Sequence, residues 1–177
     1  MRYNIINVLI GISLLAAMTT AQAITRLPGT DVYYKVDKDA MTDENQSIVI
    51  VSEVNDTAGN TGVYFRCRGS GGYEVFLRTK NALLTEANYD AEKFPNVMYR
   101  VDKQTAKTIP SEGVVSGDQR EYTVLTFSDS NARALHQAFV AANKLAIRIL
   151  RDGLSPLDYT FNARGFIAGM KAVNNCR

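Results

Sequence analysis

Residues 65–78 read Phe-Arg-Cys-Arg-Gly-Ser-Gly-Gly-Tyr-Glu-Val-Phe-Leu-Arg, which sets a thiol, guanidinium groups and a glycine-rich link side by side. Two chemistries fit those residue types. Arg66 and Arg68 would lower the pKa of Cys67 and make it a reactive thiolate. Gly69-Ser70-Gly71-Gly72 would cradle a phosphate. The phosphate loop fails on context, because it needs Gly-x4-Gly-Lys-Ser/Thr and a helix behind it. Here Tyr73 to Leu77 follows, an alternating run that predicts a strand. Two such runs joined by a short glycine-rich link predict a β-hairpin. Alternation also places the thiol: Val63, Phe65 and Cys67 share one side, and Tyr64, Arg66 and Arg68 the other. Cys67 therefore belongs with the apolar set, as a core cysteine.

Other chemical candidates are few. The one histidine, His136, lies mid-helix beside an apolar stripe, with no local nucleophile or carboxylate motif. One histidine and two cysteines make no zinc-ligand set, and no cofactor is expected. There is no Gly-x-Ser-x-Gly elbow. Acidic pairs such as Asp39 with Asp43, or Glu112 with Asp118, suit glycoside hydrolysis only if a fold brings them across a cleft. A broader set is more suggestive. Arg66, Arg68, Arg78, Arg100 and Arg148 all leave their strands opposite the apolar side, with Tyr64 and Phe76 among them. If those strands are neighbours, one sheet face carries a contact surface for carboxylates, phosphates or a protein. The bland alternative is a solvated face salted by Glu74 and Asp102, as exposed sheet faces ordinarily are.

The elements that must position these residues follow from period. Val32 to Val36 and Val97 to Asp102 alternate, and Ile48-Val49-Ile50-Val51 is a β-branched run suited to a buried strand. Residues 80–96 and 103–120 read mostly as loop, with a short strand near Thr108 and Ile109. Glu121 to Phe127, Leu145 to Arg151 and the alternating Leu157, Tyr159 and Phe161 predict strands. Between them, Leu135, Ala138, Phe139 and Ala142 recur at helical spacing, with Ser128 or Ser130 available as a cap. Gly165 to Asn175 reads as a second short helix, and Cys176 falls one turn beyond Val173. The expected class is α+β, β-rich: an antiparallel sheet or sandwich with two short helices.

The start of the chain predicts a compartment. Arg2, an apolar run from Val8 to Met18, and Ala21-Gln22-Ala23 have the order of a secretory signal cleaved after Ala23. The run is shorter than the ~20 residues that span a bilayer, so no membrane span is expected in the mature chain. Removing 23 of 177 residues leaves 154, a single domain over 24–177. Arg2 is the leader's one charge, so the net charge falls from +2 to +1. That balance gives no support to nucleic-acid binding. Export favours a Cys67–Cys176 disulfide over two free thiols. The bridge would staple the C-terminal helix to the sheet.

Taken in order, several stretches resemble the periplasmic VasI/TagO-like proteins associated with bacterial type VI secretion. They are Asp39-Ala-Met-Thr-Asp43 ahead of the strand from Ser47 to Val54, then Val63-Tyr-Phe-Arg-Cys-Arg68 with Tyr73-Glu-Val-Phe-Leu77. Val97-Met-Tyr-Arg-Val-Asp102 and the ending Tyr159-Thr-Phe-Asn-Ala-Arg-Gly-Phe166 with Cys176 complete them. The family's usual tryptophans are absent. The resemblance implies a non-enzymatic periplasmic accessory protein with an envelope protein partner. Alternatives are an inhibitor or small-ligand module for an envelope enzyme or anion, which an open pocket lined by Arg66, Arg78 and Arg100 would favour, and a small cell-wall hydrolase.

Overall fold

The computed structural model describes residues 23–177. The expected leader lies outside the described residues, apart from Ala23. The described chain is β-rich and its sheets are antiparallel, as the alternation predicts. In the larger sheet β1 (Thr25–Arg26), β2 (Val32–Lys35), β3 (Ile48–Ser52), β4 (Gly62–Cys67) and β5 (Tyr73–Arg78) lie in chain order. Two further strands, β9 (Gln119–Thr126) and β8 (Glu112–Ser116), follow β5 to complete it. The smaller sheet has the order β11 (Leu157–Asn162), β10 (Lys144–Leu150), β6 (Asn96–Val101), β7 (Lys107–Pro110). The hairpin sits where the glycine link predicts it, with Cys67 opposite Tyr73.

The two inner faces make one core. Val49, Val63, Phe65, Val75 and Leu77 bury on one side, and Val97, Leu145, Ile147, Ile149 and Phe161 on the other. Helix α2 (Asp129–Ala141) packs against β5 and β6, and α3 (Phe166–Ala172) against β2 and β3. Their Phe139 and Phe166 close on Phe65, with ring centroids 5.5 and 4.7 Å away. Ser128 occupies the N-cap position of α2, but its hydroxyl takes the Asn131 side-chain amide at 2.9 Å instead of a backbone N–H.

Both seams between the sheets are stitched. Strands β7 and β8 are separated only by Ser111, whose buried hydroxyl donates to Pro95 O at 2.6 Å. At the other seam Glu53 pairs with Phe161, and Val54 N–H donates to Thr160 O at 3.0 Å. The loop expected over 103–120 thus carries strands, weakly patterned because the run changes sheets midway.

Residues 80–96 also depart from expectation. Leu83 and Leu84 are buried, and a third helix, α1 (Glu86–Asp90), presents Tyr89 inward. The β8–β9 register slips between Gly113 and Val114, and the Tyr89 hydroxyl occupies the gap. It lies 2.7 Å from Glu121 O and 2.9 Å from Val114 O, and accepts the Val114 N–H at 3.2 Å. Gly113 is required there, since a Cβ would meet the Phe94 ring at 2.4 Å and the Tyr89 ring at 2.7 Å. Tyr89→Phe is expected to lower stability by about 1–3 kcal/mol, because it strands backbone groups at the slip. A urea midpoint equal to that of the parent would contradict this role.

Candidate docking face

Cross-strand register carries one row of side chains across the outer face of the larger sheet. Arg26 faces Tyr33, Tyr33 faces Ile50, Ile50 faces Tyr64, and Tyr64 faces Phe76. Tyr33, Ile50, Tyr64 and Phe76 are all half-buried. With neighbouring strands about 4.8 Å apart, this aromatic and aliphatic row runs about 14 Å. Tyr64 leans across Gly62, where a Cβ would lie 3.3 Å from its ring. The missing side chain lets the ring lie against the sheet.

Cations frame the row. The Arg26 guanidinium sits 5.6 Å from the Tyr33 centroid and that of Arg66 5.1 Å from the Phe76 centroid. Arg66 Nε also donates to Glu74 at 3.0 Å, and Arg68 reaches Glu74 at 3.3 Å and Asp129 at 3.4 Å. Lys35 stands two strands from Arg66 across Ile48, on the same outer face. Arg78, opposite Gly62, has no carboxylate partner among the described residues.

The arginines expected on one face are divided between two. Tyr64, Arg66, Phe76 and Arg78 share the larger sheet's outer face, and Arg68 stands at its margin. Arg100 on β6 and Arg148 on β10 belong to the smaller sheet. Parity fixes which side of its own strand a residue takes, not the sheet that strand joins. A pocket shared by Arg66, Arg78 and Arg100 is therefore not formed. Asp102 does not salt the face either. Its carboxylate accepts Lys144 N–H at 2.8 Å and Asn143 N–H at 3.3 Å, and these bonds lower its pKa.

The remaining candidates are structurally engaged. Cys67 and Cys176 form a disulfide, which removes the thiolate. The Asp39 carboxylate accepts the Met41 and Thr42 amides at 2.8 and 3.0 Å. Glu112 lies opposite Thr126 at the far end of the outer face. Among the described residues no group of three or more His, Cys, Asp or Glu is placed to hold a metal ion.

His136 stacks on Tyr73, centroids 4.8 Å apart, with Phe65 and Phe166 edge-on. Burial lowers its pKa from 6.5. A depressed histidine pKa means that the unfolded chain takes the proton first. The stability it contributes is present above about pH 6.5 and falls as pH drops below that value. His136→Phe is expected to flatten the thermal midpoint between about pH 7 and 5.5, above most carboxylate titrations. An unchanged slope would contradict the burial.

No helix among the described residues is long and apolar enough to cross a membrane. Comparison with known proteins finds no matching family model, curated protein or solved structure.

Proposed function

We propose that this chain is an exported, non-enzymatic accessory protein of the bacterial envelope, which binds a protein partner on the outer face of the larger sheet. The observation that carries this reading is the row Tyr33–Ile50–Tyr64–Phe76 framed by Arg26, Arg66 and Arg78. Tyrosine, phenylalanine and arginine are the residues that interfaces concentrate. The fitting partner has an apolar centre and a carboxylate to meet Arg78, since Arg26, Lys35 and Arg66 are already paired with Asp31, Asp37 and Glu74. The buried disulfide supports export, since such bonds persist outside the reducing cytosol. Periplasmic residence and the type VI secretion association rest on the resemblance of the motifs around residues 39–43, 63–77, 97–102 and 159–176.

In-cell crosslinking of the tagged, exported protein tests this. It is expected to capture secretion-machine envelope components. Tyr64→Glu with Phe76→Glu should reduce that capture at least about tenfold, because central aromatics carry ~2 kcal/mol or more each. Arg100→Glu on the other sheet should leave it intact. Capture that survives the double change while the thermal midpoint is preserved would overturn the docking face. Capture of a single envelope hydrolase would turn the accessory into an inhibitor using the same face.

A further inference from the structure

The outer face of the smaller sheet is concave. A depression of about 320 Å³ opens over β6, β10 and β11. Two cross-strand rows build it. Arg100 faces Ala146, which faces Thr160; Met98 faces Arg148, which faces Asp158. The small Ala146 between longer neighbours makes the floor. We infer that this depression binds a small organic carboxylate, with Arg100 as its cation.

The charge pattern selects the ligand. Arg148 Nε and Nη2 fork onto Asp158 Oδ1 and Oδ2 at 2.6 and 2.7 Å. That pair is internally neutral and fixes one wall. Arg100 pairs with no carboxylate among the described residues. One unclaimed guanidinium diagonal to a neutralised pair suits a single negative charge. With Arg148 already neutralised by Asp158, a dianion such as phosphate would find only Arg100 to balance its two charges. A guanidinium takes a carboxylate through two parallel N–H donors. The Thr160 hydroxyl, two strands from Arg100, offers a further donor. Met98 and the Ala146 floor supply apolar contact for an aliphatic body. The volume is at the small end of ligand pockets, which fits a molecule of amino-acid size or the end of a peptide. This site lies on the opposite sheet from the docking face and does not depend on it.

The probe is N-acetyl-leucine, titrated into ¹⁵N-labelled residues 24–177 and followed by amide chemical shifts. N-acetyl-leucinamide is the uncharged control. Saturable shifts are expected at residues 98–100, 146–148 and 158–160. The amide, and the acid with Arg100→Gln, should each bind at least about tenfold more weakly, which is ~1.4 kcal/mol. Ala146→Leu fills the floor and should abolish the shifts. An acetylated peptide with a C-terminal leucine carboxylate separates the two sources. Tighter binding than the single residue identifies a chain end as the ligand, and equal binding identifies a free acid. Equal affinity for acid and amide, affinity unchanged by Arg100→Gln, or no saturable shift up to millimolar acid would overturn the site.

Discussion

Cys176→Ser is expected to lower the unfolding free energy by about 2–5 kcal/mol, the usual loss when a native disulfide is removed from a small secreted domain. Cys67 and Cys176 stand 109 residues apart in sequence, so the bridge closes most of the described chain. A loop of about 100 residues is worth ~4.7 kcal/mol in the chain-entropy account. A second contribution is local. Asn174, Asn175 and Cys176 all hold positive φ, at 56°, 50° and 56°. Left-handed backbone costs roughly 1–2 kcal/mol per residue for most side chains, less for asparagine. The turn persists because its neighbours hold it. Gly72 N–H donates to Cys176 O at 3.2 Å, and Asn45 Nδ2 donates to Val173 O at 3.1 Å. Without the bridge, these tethers, with Asn45 Nδ2 also donating to Arg177 O at 3.3 Å, must hold the turn against its own backbone preference. The variant should therefore lose protection at Gly72 and along 173–177 as well as global stability. Both cysteines are buried, at 3% and 1% exposure, so the native protein should resist phosphine reduction until it unfolds. Chemical denaturation and alkylation mass spectrometry check the two claims. An unchanged midpoint, or thiols that alkylate in the folded protein, would refute them.

Legibility in the sequence followed local period. The 63–79 hairpin, β3, β6, β10 and β11 each carry a clear alternation or β-branched run, and the structure forms strands at all of them. The Cys67–Cys176 bridge was legible because the chain has two cysteines and its start predicts export, and the inward parity of Cys67 agrees with it. What escaped had no period to show. Strand β8 slips register at Gly113 and turns from one sheet to the other within a few residues of β7. Helix α1 is five residues long and buries a single side chain. Leu83 and Leu84 plug the core from a loop whose amides both donate to Tyr122 O, at 2.7 and 3.1 Å. The contact set was half legible for a related reason. Arg66, Arg78, Arg100 and Arg148 stand on the expected side of their strands, but the partition of strands between sheets is set by long-range pairing. The row through Tyr33 and Ile50 needed that pairing to be seen at all.

Alternation along β4 also separates stability from binding, one residue at a time. Phe65→Ala is expected to cost about 3–5 kcal/mol, the range for emptying a buried phenylalanine site. Phe65 is fully buried, and Phe139 of α2, Phe166 of α3, Tyr73 and His136 all close on its ring. Both longer helices meet the sheet at that ring, so a cavity there loosens their docking and cannot collapse by moving one neighbour. Cys67 lies two residues on, on the same inner side, and its bridge holds the segment that follows α3. The losses from Phe65→Ala and Cys176→Ser should therefore not add, as expected for changes that share partners. Tyr64 and Arg66, between and beside them, face outward. Tyr64→Ala should remove part of the docking row yet shift the midpoint by much less than Phe65→Ala, since its ring is only half-buried. Phe65→Ala, Cys176→Ser, Tyr64→Ala and Arg66→Ala singly, and the Phe65→Ala, Cys176→Ser pair, measured for thermal midpoint and for partner capture, make the check. Midpoint losses at 65 and 176 with capture losses at 64 and 66 are the expected pattern. A Tyr64→Ala protein as destabilised as Phe65→Ala would show that the outer row belongs to the folding core and not to a partner.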